Sequence, residues 1–440
     1  MKISFFGLGY VGLSTALALA SKNFRVYGYD VDENKIKMLK NSKLYIYEPG
    51  LKELFKKAKE NFIPVTDPKE AVLNSDITFI TVGTPSKSDG SIDLSYIESA
   101  SRLIGKMLKE KNSYHLIVVK STVVPGTTEN VIIRIIKEES GKIVGSEFGI
   151  CVNPEFLKEG SAVEDTFNPD RIVIGCFDEK SGDVLESLWR IFYDEKMPPL
   201  IRTNLVNAEF IKYSNNAFLA MKVSFINEIA NIAQKIPGAD VEVIAKGIGL
   251  DKRIGPLFLK AGLGFGGSCF PKDLRALINF TKNLGYEPRL LESIIDVNND
   301  QPYKAIELSK DLIGDFHGKK IAILGLSFKP NTDDMREAVS IKIINKFLEL
   351  GANVTVYDPA AIDNARHIFG NRIIYAPSLT DCIKDADCAI IVTEWNEFKH
   401  LKPEDFIKNM KQPIVIDGRR IYDPKLFSQK LTFSAIGLGK

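Results

Sequence analysis

The sequence predicts an α/β fold in which two doubly wound domains are joined by a long helical connector. Three observations carry this. Short apolar runs alternate with helical patterns from Lys2 to Ile201, as the strands and crossover helices of a parallel sheet do. Glu209 to Gln234 is one amphipathic run with apolar positions at Phe210, Ala217, Phe218, Met221, Phe225, Ile229 and Ile232. From Lys319 the strand–helix alternation restarts.

Composition narrows the class. A chain of 440 residues suits two or three domains, and 45% hydrophobic with 26% charged residues is ordinary for a soluble globular protein. A net charge of +2 argues for neither nucleic acid nor an anionic membrane as partner, and leaves room for a local basic cluster that binds phosphate. The apolar segment from Ile3 is broken by Gly7, Gly9 and Gly12, and no run of 18 apolar residues occurs, so neither a membrane span nor a signal peptide is expected, and the chain is expected in the cytoplasm. Cysteines at 151, 176, 269, 382 and 388 form no C-x-x-C pair, a sparse set that fits a reducing compartment and gives no metal spacing.

The expected first domain is residues 1–202. Lys2 to Phe6 is a strand, Gly7-Leu8-Gly9-Tyr10-Val11-Gly12 a tight turn, Leu13 to Ala20 a helix, and Phe24 to Asp30 a second strand ending in an acid. This is the Rossmann-like fingerprint: the first glycines admit a pyrophosphate to the helix N-terminus, Gly12 allows helix–strand packing, and Asp30 accepts from a ribose diol. A carboxylate there repels a 2′-phosphate, which favours NAD. Further strands, Asp76 to Val82 and His115 to Val119, end in Gly83-Thr84-Pro85 and Lys120-Ser121-Thr122; the hydroxyls of Ser121 and Thr122 suit a ligand or a helix cap equally. In Asn153-Pro154-Glu155-Phe156-Leu157-Lys158-Glu159-Gly160 two carboxylates stand four apart, and on a helical turn they would face one way, suited to proton handling or to a nicotinamide contact; a solvated acidic face is the alternative.

The expected connector, 203–300, begins after the capping candidates Thr203, Asn204 and Asn207. Lys212 and Asn216 are one turn apart, a cation and an amide placed to stabilise an oxyanion, or else a surface Lys beside a core-edge Asn. Beyond a helix over 240–249 comes Gly264-Phe265-Gly266-Gly267-Ser268-Cys269-Phe270-Pro271-Lys272-Asp273. Pro271 can start a helix, which puts Cys269 at an N-terminus that favours a thiolate, with Asp273 on the same face one turn on. A buried structural thiol is the other reading of a lone cysteine. The glycines are expected to leave room for a ligand.

In the last domain, 301–440, Ile321 to Gly325, Val354 to Asp358 and Asp387 to Thr393 repeat the strand plan, with a helix expected over Arg336 to Leu350. Gly325-Leu326-Ser327-Phe328-Lys329-Pro330 lacks the second and third glycines, so this domain is expected to hold something other than a dinucleotide. Lys329, with Arg419 and Arg420 after the strand Ile414 to Asp417, suits a diphosphate or uracil.

The glycine turn, the segments 153–160 and 212–218, and the cysteine loop together make the chain resemble the nucleotide-sugar 6-dehydrogenase family over nearly its whole length. That resemblance implies an NAD domain, a dimer-forming connector and a C-terminal domain that holds UDP-glucose, whose C6 alcohol is oxidised to a carboxylate at the expense of two NAD. Carried over, Cys269 is the nucleophile that holds C6 as a thiohemiacetal and then a thioester; Asp273 with Thr122 positions water; Glu155 handles protons during thioester hydrolysis; Lys212 and Asn216 stabilise oxyanions. Tyr10, Val11, Lys35, Thr84, Thr122, Glu159, Lys272 and Arg336 fall on the cofactor side. Phe156, Leu157, Phe258, Lys260, Gly266, Phe328, Lys329 and Arg419 fall on the substrate side, the last paired with Arg420 in an open register. Arg253 matches an arginine that reaches a sugar in the neighbouring subunit of a homodimer. GDP-mannose or a UDP-N-acetylhexosamine are the substrate alternatives, and an inactive nucleotide-sugar sensor is the alternative outside catalysis. No metal is implied.

Overall fold

The computed structural model describes residues 1–439. The strands form two sheets. The first contains β1 (Lys2–Phe6), β2 (Arg25–Tyr29), β3 (Phe62–Val65), β4 (Ile77–Ile80), β5 (His115–Val119), β6 (Phe148–Val152), β7 (Ile172–Cys176) and β8 (Leu200–Thr203), in the order β3-β2-β1-β4-β5-β6-β7-β8. Only β6 and β7 are antiparallel. The second contains β9 (Lys320–Leu324), β10 (Asn353–Tyr357), β11 (Ile374–Tyr375), β12 (Cys388–Ile391), β13 (Ile414–Asp417) and β14 (Thr432–Ala435), in the order β11-β10-β9-β12-β13-β14, all parallel. Every residue of β5 and β12 is buried, which is why these central strands read as unbroken apolar runs: helices cover both sheet faces. Strand order reverses between β1 and β4 and again between β9 and β12, and ligands of such sheets bind beyond the carboxyl ends at that point.

The chain divides into two compact units, the first ending at Asn215 and the second starting at Asn216. The helix Leu205–Ala233 contributes to both. It starts four residues before the expected Glu209 because the Asn204 carboxamide accepts from the Asn207 amide at 2.8 Å and caps it.

Two local expectations fail. Residues 153–158 are not helical: Pro154 has no N–H to give, and the Glu155 carboxylate accepts from the Leu157 amide at 2.6 Å, a side-chain turn that competes with a helix. Glu155 and Glu159 therefore do not share a helical face. The helix expected from Arg336 begins only at Val339, because Asn331 and Glu337 adopt positive φ (64° and 52°) and Asp334 accepts from both the amide and the guanidinium of Arg336.

Candidate active site

In the first unit the glycine turn divides its labour as the spacing predicts. Gly7 has φ +96°, which an L side chain rarely adopts. A Cβ on Gly12 would stand 2.0 Å from the Gly7 carbonyl oxygen, so only glycine lets the helix Tyr10–Ser21 pack there. A Cβ on Gly9 would meet nothing within 4 Å, so beside Gly9 the backbone is open to a ligand. Asp30, buried at the end of β2, accepts from the Leu8 amide at 2.8 Å and the Asp32 amide at 3.0 Å, and Lys35 approaches it at 3.4 Å. The carboxylate thus orders the glycine turn. These residues fit a bound NAD: an ordered turn, open backbone at its second glycine, and an acid at the strand end.

Next along the same edge, the Thr84 hydroxyl donates to the Thr122 carbonyl at 2.9 Å. The Ser121 hydroxyl is spent inside, donating to Val82 O at 2.7 Å. Beyond β6, Lys212 Nζ lies 2.8 Å from Glu155 Oε1 and 2.7 Å from the Glu155 carbonyl, with both side chains buried. Burial alone would push the Glu155 carboxyl up. The Lys212 ammonium, its hydrogen bond, the Leu157 amide and Lys120 outweigh that, and the carboxyl is held below its usual range. Arg171 stacks 3.7 Å over the Phe156 ring and donates to Asn215 at 2.7 Å, fixing the end of this segment.

In the second unit Cys269 is the N-cap of the helix Phe270–Asn283, with Pro271 as its second residue. It is exposed, whereas Cys151, Cys382 and Cys388 are buried and burial pushes their thiols up, the latter two to about 12. The buried structural reading belongs to those three and not to Cys269. One turn on, the Asp273 amide donates to the Cys269 carbonyl at 2.8 Å, and the Asp273 carboxylate, 2% exposed, accepts from Asn216 at 2.6 Å and from Lys272 at 2.5 Å.

The loop glycines do not leave room for a ligand as expected. A Cβ on Gly266 would stand 2.2 Å from the Glu337 carbonyl oxygen, one on Gly267 2.7 Å from the Phe328 ring, and one on Gly264 2.8 Å from Asn298 Oδ1. They allow the loop to press against its own unit. Gly267 N donates to Arg336 O at 2.9 Å, which ties the cysteine loop to the segment that interrupts the expected helix.

The basic pair after β13 separates cleanly. Arg419 donates from Nε to Val392 O at 2.6 Å and from Nη1 to Gly264 O at 3.2 Å, beside the sheet mouth and the cysteine loop. Arg420, with φ +53°, turns away to Asp240 at 2.7 Å, its side chain only 2% exposed. Lys329 stacks 5.4 Å from the Phe328 ring. Arg253 is an exposed side chain paired with Asp251 at 2.6 Å, and Phe258 adopts φ +65°. Asp358, the counterpart of Asp30, accepts from Leu326 N, Ser327 N, Ala360 N, Ala361 N, the Ser327 hydroxyl and the Trp395 indole. Its acceptor capacity is consumed internally, the physical reason this second nucleotide-type unit is unsuited to a dinucleotide ribose.

Models of the UDP-glucose/GDP-mannose dehydrogenase family match residues 1–193 (NAD binding domain), 206–300 (central domain) and 322–424 (UDP binding domain). The chain belongs to this family. Relatives within it include the UDP-glucose 6-dehydrogenase AglM of Haloferax volcanii, 44% identical over 96% of this chain and 97% of its own length, and TuaD of Bacillus subtilis, 43% identical over 96% and 89%. Among solved structures, a UDP-glucose dehydrogenase from the archaeon Pyrobaculum islandicum superposes with TM-score 0.92 at 39% identity, covering 99% of this chain and 97% of its own. A UDP-D-ManNAc dehydrogenase from Pyrococcus horikoshii superposes with TM-score 0.86 at 27% identity, over 100% and 99%. The first unit is thus the family's NAD-binding domain.

Two residues of consequence escaped the sequence reading. Lys120 is buried at the end of β5, donates to Asn153 Oδ1 at 3.1 Å and interacts electrostatically with Glu155 and Lys212. Its position at a strand's carboxyl end was the available signal. Glu48 accepts from Gly160 N and Ala162 N, both at 2.8 Å, and so anchors the far end of the Glu155 segment; its place in the sequence carries no such signal.

Proposed function

We propose that this chain is an NAD-dependent UDP-glucose 6-dehydrogenase that oxidises the C6 alcohol of UDP-glucose to the carboxylate of UDP-glucuronate. The observation that carries this is an exposed cysteine at a helix N-cap, with Asp273 and Asn216 bonded one turn on, in a chain about 43% identical to UDP-glucose 6-dehydrogenases over nearly its full length.

Bound at the Gly9 turn, NAD supplies the acceptor for each of the two hydrides that alcohol-to-acid oxidation releases. The residues do the rest. Lys212 and Asn216 stabilise negative charge developing on the C6 oxygen. Glu155, kept ionised by Lys212, takes the hydroxyl proton. Cys269 adds to the aldehyde carbon, retaining it as a thiohemiacetal and, after the second oxidation, as a thioester. Asp273, with Thr122, orients the water that cleaves the thioester and frees the thiol. Glu159, Thr84, Lys272 and Arg336 serve the cofactor side; Arg419, Lys329, Phe328, Lys260 and Phe258 serve the nucleotide sugar.

Three working parts follow the same reading: 1–202 for NAD, 203–300 as connector with the cysteine loop, 301–440 for the UDP-sugar. Phe218, Phe225 and Ile232, at seven-residue spacing on the long helix, are each about half exposed and support a homodimer formed along it, with Arg253 serving the neighbouring copy. Five cysteines outside disulfides support a cytoplasmic setting, and no helix among the described residues is long and apolar enough to cross a membrane. The test is NADH formation across UDP-glucose, GDP-mannose and UDP-N-acetylhexosamines: UDP-glucose is expected to give the highest kcat/KM, and preference for either other class would reassign the substrate.

A further inference from the structure

The first unit contains a cavity of about 100 Å³ that adjoins the site described above, sharing Glu155, Phe156 and Leu157 with it. Its inner wall is made by Lys120 at the end of β5, Thr15 in the first helix, Trp189 in the helix Glu179–Tyr193, and Glu155. Exposed Lys158, Asn168 and Asp170 form its outer rim, so it runs from Glu155 to the surface.

The inner wall carries polar groups that the protein itself does not satisfy. Thr15 is 1% exposed and Trp189 3%, yet the Thr15 hydroxyl and the Trp189 indole N–H have no hydrogen-bond partner among the described residues. A buried donor left unpaired loses its hydration without replacement, so each of these groups favours a polar partner in the cavity. Lys120 sits 5.5 Å over the Trp189 ring and donates to Asn153 (Oδ1 at 3.1 Å, carbonyl at 3.3 Å). A polar cavity with convergent donors suits water, each molecule of which takes about 30 Å³ in the liquid, so there is space for more than one.

We propose that Thr15, Trp189 and Lys120 hold ordered water in this cavity, and that this water and Lys120 carry protons from Glu155 to solvent. The proposal rests on the reading of Glu155 as the group that takes the substrate proton. The reaction needs such a route. Converting the C6 alcohol and one water to a carboxylate sends two electron pairs away as hydride and releases three protons: one with each oxidation and one when the acid ionises. Each proton accepted by Glu155 must leave before the next step. The charged groups facing Lys120 are Glu155 and Lys212, with Asp165, Lys158, Asp170 and Arg171 elsewhere on the cavity wall. Burial pushes the Lys120 ammonium down to about 8, with Glu155 opposing and Lys212 adding, so it can exchange a proton near neutral pH.

The test uses the full chain with UDP-glucose and NAD, and a crystal structure that resolves water. Lys120→Met is expected to lower kcat at pH 7 by about tenfold or more, the scale of acid–base assistance, with both KM values within about twofold, and to regain activity when imidazole or methylamine is added. Trp189→Phe, which keeps the ring and removes only the N–H, is expected to lower kcat about twofold or more and to raise the solvent isotope effect. The crystal structure is expected to show water within hydrogen-bond distance of Trp189 Nε1 and Lys120 Nζ. Unchanged kcat and isotope effect in Trp189→Phe, a Lys120→Met loss that small amines do not restore, or a dry cavity would each overturn the proposal. Trp189→Phe decides the matter if Lys120→Met does not fold. Should the wild type not oxidise UDP-glucose, the functional reading fails, while the water positions still decide the cavity.

Discussion

Replacing Lys212 by Met isolates the buried pair at the centre of the first unit's site. Lys212 and Glu155 are 2.8 Å apart with side chains 5% and 8% exposed. Removing one partner of such a pair costs about 3–5 kcal/mol, chiefly through the charge left behind. Lys120 and the Leu157 amide remain near Glu155, which places the cost at the lower end, about 3 kcal/mol. For a unit of roughly 200 residues that is a fall in melting temperature of about 6–12 °C. The pH dependence should change sign as well. In the wild type Glu155 is held below its usual value, so its contribution is present above the unfolded pKa and is lost as pH falls through the folded one. Without Lys212, burial is the largest influence and raises the carboxyl, so the variant gains stability as pH falls through that raised value. Calorimetry at pH 7 and pH 5 reads both effects: Lys212→Met should recover part of its deficit at pH 5, and adding Glu155→Gln should recover most of it at pH 7. A variant as stable as the wild type at pH 7, or with the same pH dependence, would refute this account of the pair.

Gly12→Ala should unfold the first unit or lower its melting temperature by several degrees, since the added methyl would stand 2.0 Å from a backbone oxygen, whereas Gly9→Ala should melt like the wild type and raise the NAD KM; thermal melts and initial rates separate the two. Cys269→Ala should form no acid at all, and Cys269→Ser should slow turnover and accumulate an ester-linked adduct visible by intact mass. Wild-type rates in either cysteine variant would make Cys269 structural.

The strand–helix alternation was legible because both sheets are buried on two faces, which forces apolar runs such as His115–Val119, and because Gly7, Gly9, Gly12 and Asp30 each answer to a distinct local need. The second unit's loss of dinucleotide capacity was legible in its missing glycines, but not the reason lodged in Asp358: six donors from Leu326 to Trp395 converge on it only in three dimensions. Spacing misled at Glu155 and Glu159, where Pro154 and a side-chain turn override a four-residue period. It misled also at the cysteine-loop glycines, whose neighbours Glu337, Phe328 and Asn298 lie 34 to 71 residues away in sequence. For Lys120 the sequence offers only its place at a strand end: what distinguishes it is burial beside Glu155 and Trp189, contacts made across 35 and 69 positions.

The central claim is that one chain removes two hydrides from one sugar while Cys269 holds the intermediate. It is tested most directly by titrating a limiting amount of UDP-glucose against excess NAD and measuring NADH and UDP-glucuronate together. The account predicts two NADH and one uronate for each UDP-glucose consumed, with no free aldehyde; one NADH per sugar, or an aldehyde released to solution, would contradict it.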